Sequence, residues 1–360
     1  MRKGTLRGMR FDTPLYVEHN FWEDFLHGSQ ALDPGMVPYA RLQKMPFYTF
    51  GELWTHSDKW SDSGEKQAAS YTHEGRGMDG ALNFPLQKTL LEVLGNTRAS
   101  VHLSYRLHAE ALHFPKPQQR LHFLDNHDMP RASASLDSLG MAQGLMLLYT
   151  LPGIPVVYYG TELGLRESRE PLPARHEETP LIRHLKQLSA LRHREASLRQ
   201  GSTEIWLDSR LGIPVWMAAV ERKWVLALNP TMEEVWIPDS LLRRAVPSAM
   251  RRGSKPVWRC GSEGSWDTQG LRMGPREAWV WPVYRDASEE VNPTSDGFGK
   301  VLLQESGFEA PSSPSSWLKD TVLVAAVVDP EGDDRGSNGL LKYPAAFEGR
   351  PGDLVGLKWW

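Results

Sequence analysis

The sequence predicts an α/β chain in which a parallel sheet covered by helices is followed by a small antiparallel β domain. Strand-like and helix-like runs alternate five times over roughly the first 190 residues. Such alternation is typical of a parallel sheet with helices outside it. After about residue 194 the runs become short alternating strands separated by turn residues, a pattern that favours an antiparallel β-sandwich.

The predicted parallel strands are short apolar runs, most of which end in polar residues. They are LRGMRFD, FYTFGELW, MDGALNF, QRLHFLDNHD and IPVVYYGTEL, beginning at residues 6, 47, 78, 119 and 154. A helical pattern follows four of them, and a polar loop follows FYTFGELW. The helix after the third strand has Pro85 at its start and Gly95 near its end, and Thr179 is placed to cap the helix after the fifth.

The composition excludes several classes of protein. The 41 Lys and Arg residues against 44 Asp and Glu give a net charge of -3, without a basic stripe, which argues against a nucleic-acid partner. The most apolar stretch, residues 145–159, is interrupted by proline and glycine and is too short to span a bilayer. The single cysteine, Cys260, excludes an intrachain disulfide.

The sequence divides into four predicted segments. Residues 1–196 form the parallel α/β part and 197–285 the antiparallel β domain, where eight of the 14 tryptophans are expected mainly in the sheet core. Residues 286–319 are a polar linker containing PSSPSS, and 320–360 begin a further β module.

Three acidic residues stand at the ends of three predicted strands. Asp12 ends GMRFD, Glu52 lies in FGELW, and Asp128 ends FLDNHD. Parallel strands in a barrel open their carboxyl ends onto one face, so these carboxyls can converge on one pocket. Cleavage of a glycosidic bond needs such a pair, one carboxyl to protonate the leaving oxygen and one to attack the anomeric carbon. Arg10 lies two residues before Asp12 and can keep it ionised.

Each of these motifs alone has an ordinary structural explanation. An acidic residue at a strand end is more often a helix cap or a surface residue. A histidine such as His127 is more often structural than catalytic. The order and spacing of the motifs favour a functional interpretation.

Together the motifs resemble the α-amylase family of glycoside hydrolases. GMRFD, FGELW and FLDNHD are similar, in that order, to the family's second, third and fourth signature regions, and LPGIPVVYYGTELGL is similar to its eighth barrel strand. The resemblance covers residues 6–285. It implies a partial TIM (β/α)8 barrel, strands four to eight, with an open sheet followed by the small β domain.

The resemblance also implies roles for individual residues. It makes Asp12 the nucleophile and Glu52 the general acid/base, while Asp128 binds sugar hydroxyls. Arg10 is implied to orient Asp12, and His127 to assist at the sugar hydroxyls. The environments expected of the two carboxyls would leave Asp12 ionised and raise the pKa of Glu52.

Two aromatic residues, Tyr16 and Trp54, are further candidates for substrate binding. Tyr16 lies where many family members have part of a Lys-His pair, and the family's first signature is absent. The calcium ligands that accompany that signature are absent as well, so no cofactor is expected. The tail resembles the start of a glucodextranase-type module, and its acidic residues form either a calcium site or, as is favoured, a solvated acidic turn; they are Asp329, Glu331, Asp333 and Asp334.

The sequence therefore predicts an enzyme acting on α-glucosidic bonds of starch-like glucans with retention, with no nucleic-acid or membrane partner. The alternative is a non-catalytic carbohydrate-binding or structural remnant of the same family. A nucleotide-binding protein is disfavoured because no Gly-rich phosphate loop follows a strand. We further expect the chain to lack the first barrel strands, to present an open five-stranded sheet, and to be aggregation-prone and nearly inactive. The localisation is left open.

Overall fold

The computed structural model describes residues 7–175, 177–246, 255–262 and 264–283, together with the backbone of 323–326 and 357–358. Five parallel strands follow one another in sequence and in space. They are β1 (Gly8–Phe11), β2 (Tyr48–Gly51), β3 (Gly80–Leu82), β4 (Arg120–His122) and β5 (Ile154–Tyr158). This is the parallel sheet that the alternating sequence pattern predicts, and it forms the part of a barrel that the family resemblance implies.

The helices of the α/β part and its connections are short to medium in length. They are α1 (His19–His27), α2 (Met36–Leu42), α3 (Ser63–Ala69), α4 (Phe84–Leu94), α5 (Val101–His113), α6 (Ala132–Ser135), α7 (Ser138–Thr150), α8 (Pro180–Arg194) and α9 (Ser197–Gln200). The predicted cap of α8 is present, because Thr179 accepts a hydrogen bond from the Ile182 N–H at 3.1 Å. The polar stretch after β2 was predicted as a loop but contains α3, and α5 was not predicted.

The antiparallel part has two sheets. Its strands are β6 (Thr203–Leu207), β7 (Trp216–Val220), β8 (Trp224–Leu228), β9 (Val235–Pro238), β10 (Trp258–Cys260), β11 (Ser265–Trp266), β12 (Gly270–Met273) and β13 (Ala278–Pro282). Five strands run in the order β10-β13-β8-β7-β6, and three in the order β11-β12-β9. One hydrophobic cluster joins residues of both sheets, and α10 (Asp239–Ala245) lies beside it. Six of the eight tryptophans between 206 and 281 are buried, which confirms their expected place in the core.

The parallel sheet has seven strands, whereas the sequence predicted five. β14 (Leu323–Ala326) pairs in parallel with β5, and β15 (Leu357–Lys358) pairs in parallel with β14. The edge of β5 offers unpaired backbone groups, and an apolar segment from the tail satisfies them. The predicted five-strand count is therefore wrong.

The remaining predictions for the tail concern residues outside those that the structure describes. The linker (286–319), the candidate calcium turn at Asp329 and the accessory module (320–360) fall there, apart from the two short strands. These predictions remain untested.

The core inside the parallel sheet positions the site above it. Alternate residues of β2, β4 and β5 point to the same side and form one buried cluster with Leu82 and Phe84; they are Tyr48, Phe50, Leu121, Phe123, Ile154 and Val156. Because the strands are parallel, their carboxyl ends meet at one edge of the sheet. None of the helices in the described ranges is long and apolar enough to cross a bilayer.

Candidate active site

The ends of β1 and β2 bring two acidic residues together. Arg10 is the register partner of Phe50, and Phe11 of Gly51. The ladder extends one step further, because the Glu52 N–H donates to the Phe11 carbonyl at 2.9 Å. This bond fixes Glu52 beside the end of β1, where Asp12 follows.

Arg10 links the two carboxyls. Its Nη2 lies 2.9 Å from Asp12 Oδ1 and also contacts Glu52 Oε2. The Arg10 side chain is 11% exposed, so its charge is largely shielded from water. The sequence predicted the pairing of Arg10 with Asp12, and the structure adds Glu52 as a second partner.

The two carboxyls differ in environment, and their pKa values are displaced in opposite directions. Glu52 is 5% exposed, and burial, with a hydrogen bond to Asp12, raises its pKa to about 7. Asp12 is 65% exposed, and the hydrogen bond to Glu52, together with Arg10, lowers its pKa. A protonated Glu52 that donates to an ionised Asp12 accounts for both shifts. The pKa of Glu52 is thus raised, as the sequence predicts, and Asp12 is the carboxyl that stays ionised.

A left-handed turn follows Asp12 directly. Thr13 has a φ of 47°, a conformation that is costly for a β-branched residue. The turn leads into a 3₁₀ helix, Pro14–Tyr16, which is fastened by a hydrogen bond from the Val17 N–H to the Pro14 carbonyl. The strained residue therefore stands between the strand and the segment that leaves the site.

Asp128 is held by its neighbours after β4. Its carboxylate lies 2.8 Å from His127 Nε2 and 3.0 Å from Arg169 Nη2. Its N–H donates to Asn126 Oδ1 at 2.9 Å. Ser168 donates its hydroxyl proton to the His127 carbonyl at 2.6 Å, so the loop after β5 is fastened to this motif.

His127 connects the two halves of the site electrostatically. Burial lowers its pKa, and the charges of Arg10 and Arg169 act in the same direction. The carboxylates of Asp128 and Asp12 act in the opposite direction. His127 therefore lies within the electrostatic range of Arg10 and Asp12 as well as of Asp128 and Arg169.

The two aromatic candidates have different settings. Trp54 is 40% exposed and stacks on Phe84, with ring centroids 5.0 Å apart and an interplanar angle of 19°. Tyr16 is 88% exposed, and within the described ranges no side-chain contact joins it to the acidic residues. Trp54 is thus fixed beside the site, whereas Tyr16 projects from the turn after Asp12.

Sequence reasoning missed Arg169 and the support beneath Asp128. Asp125, from the same motif, is buried and accepts hydrogen bonds from the Thr161 hydroxyl at 2.7 Å and the Ala132 N–H at 3.0 Å. The Arg131 guanidinium lies 4.1 Å from the Tyr158 ring centroid. A single arginine in a loop carries no pattern, so only its position after the fifth strand could have marked Arg169.

No group of three or more metal-ligating side chains occurs in the part of the chain that the structure describes. The charged groups at the site form two sets. The Asp12 and Glu52 carboxyls both contact Arg10, and the Asp128 carboxylate lies between His127 and Arg169. Such a set can hold an ionised nucleophile beside a protonated acid.

Comparison with known proteins identifies the family to which this chain belongs. Residues 17–202, about half of the chain, match the family model described as the α-amylase catalytic domain. The chain belongs to this family. Glu52 and Asp128 fall inside the matched range, and Asp12 lies five residues before it.

Two bacterial enzymes and one of the similar solved structures illustrate the likeness. The intracellular maltogenic amylase of Bacillus subtilis strain 168 is 25% identical over 55% of this chain and 32% of its own length. The cyclomaltodextrinase of Geobacillus thermopakistaniensis is 26% identical over 56% and 32%. The crystal structure of an Anoxybacillus α-amylase matches 78% of this chain and 59% of its own with a TM-score of 0.60 at 22% identity, which supports the fold. The matched part of this chain spans about a third of the length of the two curated relatives.

Proposed function

We propose that this chain carries the chemistry of a retaining glycosidase acting on α-glucosidic bonds of starch-like glucans. The observation that carries the proposal is the pair Asp12 and Glu52 on one arginine nitrogen, with pKa values displaced in opposite directions. Retaining glycosidases need one ionised and one protonated carboxyl in close proximity. The contact between the Asp12 and Glu52 carboxyls and the opposite displacements of their pKa values support this assignment.

The first step uses each carboxyl in its favoured protonation state. An Asp12 oxygen forms a bond to the anomeric carbon while the bond from that carbon to the leaving oxygen breaks. The Glu52 proton passes to the leaving oxygen, so Glu52 becomes ionised. Substrate must replace the Glu52–Asp12 hydrogen bond before this step, which frees the proton for transfer.

The second step restores both carboxyls. Ionised Glu52 takes a proton from a water molecule or a sugar hydroxyl, whose oxygen attacks the anomeric carbon and displaces Asp12. Hydrolysis and transfer to sugar differ only in this acceptor. Arg10 keeps Asp12 anionic as a leaving group, and Asp128 with His127 hydrogen-bonds sugar hydroxyls.

The substrate class is inferred from the family and from the activities for which similar proteins are named. A maltogenic amylase and a cyclomaltodextrinase are among the similar proteins, and Trp54 offers a supported aromatic face beside the acids. Among the residues assigned to substrate, Tyr16 has the weakest structural support, because it is the most exposed and lacks a contact with the site.

The release of reducing ends from soluble starch tests the proposal. We expect the release by the unmodified chain, even if it is slow, to fall to at most about 1% of its value in Asp12→Asn, since the assigned nucleophile is lost. Asp33→Asn, at an exposed position, serves as the matched control and should retain the full rate. Release that is equal in all three proteins would contradict the assignment of Asp12 as the nucleophile, and binding of starch without any release would support the non-catalytic carbohydrate-binding alternative.

A further inference from the structure

A cleft outside the acidic site lies between the loop after β2 and helix α4. It has a volume of about 500 Å³ and is lined by Asp58, Lys59, Trp60, Ser61, Lys88 and Arg98. None of these residues takes part in the chemistry described above. The cleft combines an exposed indole with three cationic side chains and one carboxylate.

Trp60 presents a rigid aromatic surface to this cleft. Trp60 is 59% exposed, yet its ring packs on His102 with centroids 4.2 Å apart. It also lies edge-to-face with the Tyr105 ring, with centroids 5.5 Å apart. The Tyr105 hydroxyl donates to the Trp60 carbonyl at 2.9 Å. A large apolar ring that is held in place while exposed to water is pre-organised for stacking.

A buried arginine fixes the backbone on either side of Trp60. Arg106, 1% exposed, donates to the carbonyls of Asp58 and Ser61, each at 2.9 Å. Its charge is balanced by Glu65, which is fully buried. This interior ion pair leaves the loop little freedom, so the cleft keeps its shape without a ligand.

The charges of the cleft favour an anion. Lys59 and Lys88 are exposed and make no ion pair with any residue that the structure describes. Arg98 is oriented by Glu92, 2.6 Å away, and still lines the cleft. Lysine and arginine are the usual ligands of phosphate esters. The local excess of positive charge is opposite in sign to the net charge of -3 on the whole chain.

The cleft shares a loop and a helix with the surroundings of the proposed glucan site. Trp54 and Trp60 belong to the same loop, which begins at Glu52, and Trp54 stacks on Phe84 at the start of α4. Lys88 lies one turn further along that helix. The loop and the helix that hold the indole and Lys88 of the cleft therefore also carry Glu52 and the stacking partner of Trp54.

We infer that this cleft binds an anionic saccharide, an α-glucan segment that carries a phosphate monoester. Trp60 stacks on a sugar ring, and Lys59 with Lys88 binds the phosphate. The sugar part of this inference rests on the proposed function, whereas the anion part rests on the charges of the cleft. The site gives the protein a preference for phosphorylated over neutral glucan.

Equilibrium binding to Glu52→Gln protein, which removes turnover from the measurement, tests the inference. The probes are maltooligosaccharides with one phosphate monoester, neutral ones of the same length, inorganic phosphate, and adenosine monophosphate. We expect the phosphorylated sugar to bind roughly tenfold more tightly than the neutral one, the gain typical of a charge-assisted hydrogen bond. Lys88→Met should abolish this preference, and Trp60→Ala should weaken binding of both sugars.

Two variants in the β domain provide matched controls. Trp236→Ala removes another exposed indole and Lys223→Met another exposed lysine, and neither should change binding. Equal affinity for both sugars, a preference that survives Lys88→Met, or equally tight binding of adenosine monophosphate or free phosphate would overturn the inference. Because binding is measured without turnover, failure of the starch assay leaves this result interpretable.

Discussion

The carboxyl groups of Asp12 and Glu52 hydrogen-bond to each other at the ends of two adjacent parallel strands. One is largely exposed and the other buried. Burial disfavours charge on Glu52, and the anion that remains on Asp12 is stabilised by Arg10. The proton is therefore placed on the group that has to give it to a leaving oxygen.

Replacement of the acid should slow the reaction according to the leaving group. We expect Glu52→Gln to lower kcat by roughly 10²–10⁴ on unactivated maltooligosaccharides, because proton transfer is lost. The loss should shrink on a maltosyl fluoride, which needs little protonation to depart. Steady-state rates on both substrates, with Asp33→Asn as the control, measure the difference. Equal losses on both substrates would mean that Glu52 is not the acid.

The pH dependence of stability should reveal the protonated state of Glu52. Its pKa is about 7 in the folded chain against an ordinary value of 4.5. Between these values the folded state holds a proton that the unfolded state has lost, so stability falls as pH rises, by about 3 kcal/mol. In Glu52→Gln this fall should disappear. Denaturant unfolding at pH 4.5, 6 and 7.5 compares the two proteins, and parallel pH profiles would contradict the assignment.

The pKa of His127 should respond to the charges of Arg169 and Asp128. Arg169 lowers it and Asp128 raises it. We therefore expect Arg169→Ala to raise the pKa of His127 and Asp128→Asn to lower it further. Titration of the imidazole by NMR measures both shifts. If neither variant moves the titration, His127 and Asp128 do not form the arrangement described.

The interior ion pair below the Trp60 loop should be important for stability. Removal of one partner leaves a buried charge, so we expect Arg106→Met to lower the free energy of unfolding by about 3–5 kcal/mol. Arg222→Met, which breaks an exposed pair with Glu204, should cost about 0–1 kcal/mol. Urea denaturation compares the two variants. A similar cost for both would show that Arg106 does not hold the loop.

The edge of the sheet at β1 should favour association of the chains in solution. Among the strands that the structure describes, β1 pairs only with β2, and unpaired edges favour association. The expectation that these 360 residues aggregate and are nearly inactive stays a prediction. Light scattering after gel filtration, combined with the starch assay, tests it. A cooperatively melting monomer with an ordinary enzymatic rate would contradict it.

The sequence was most informative where acidic residues stand at the ends of predicted strands. Asp12, Glu52 and Asp128 could be placed at the ends of strands because each lies at or near the end of an apolar run, and the parallel strands bring Asp12 and Glu52 together. Their catalytic roles stay predictions. Arg169 could not, since its contact depends on the path of a loop. The pairing of β14 with β5 joins residues 167 positions apart, such as Leu323 and Val156, and a local pattern does not determine such a non-local pair. Helix α5 was missed because its histidines and arginine obscure its apolar face.

The most direct test of the central claim is covalent trapping of the nucleophile. A 5-fluoro-α-glucosyl fluoride has an activated leaving group but forms a slowly hydrolysed glycosyl ester, so the intermediate accumulates. Mass spectrometry of peptides from the treated chain locates the added sugar. The mechanism proposed here predicts labelling of the peptide that contains Asp12, at Asp12 itself, and its loss in Asp12→Asn. Labelling at another carboxyl, or persistent labelling of Asp12→Asn, would contradict it.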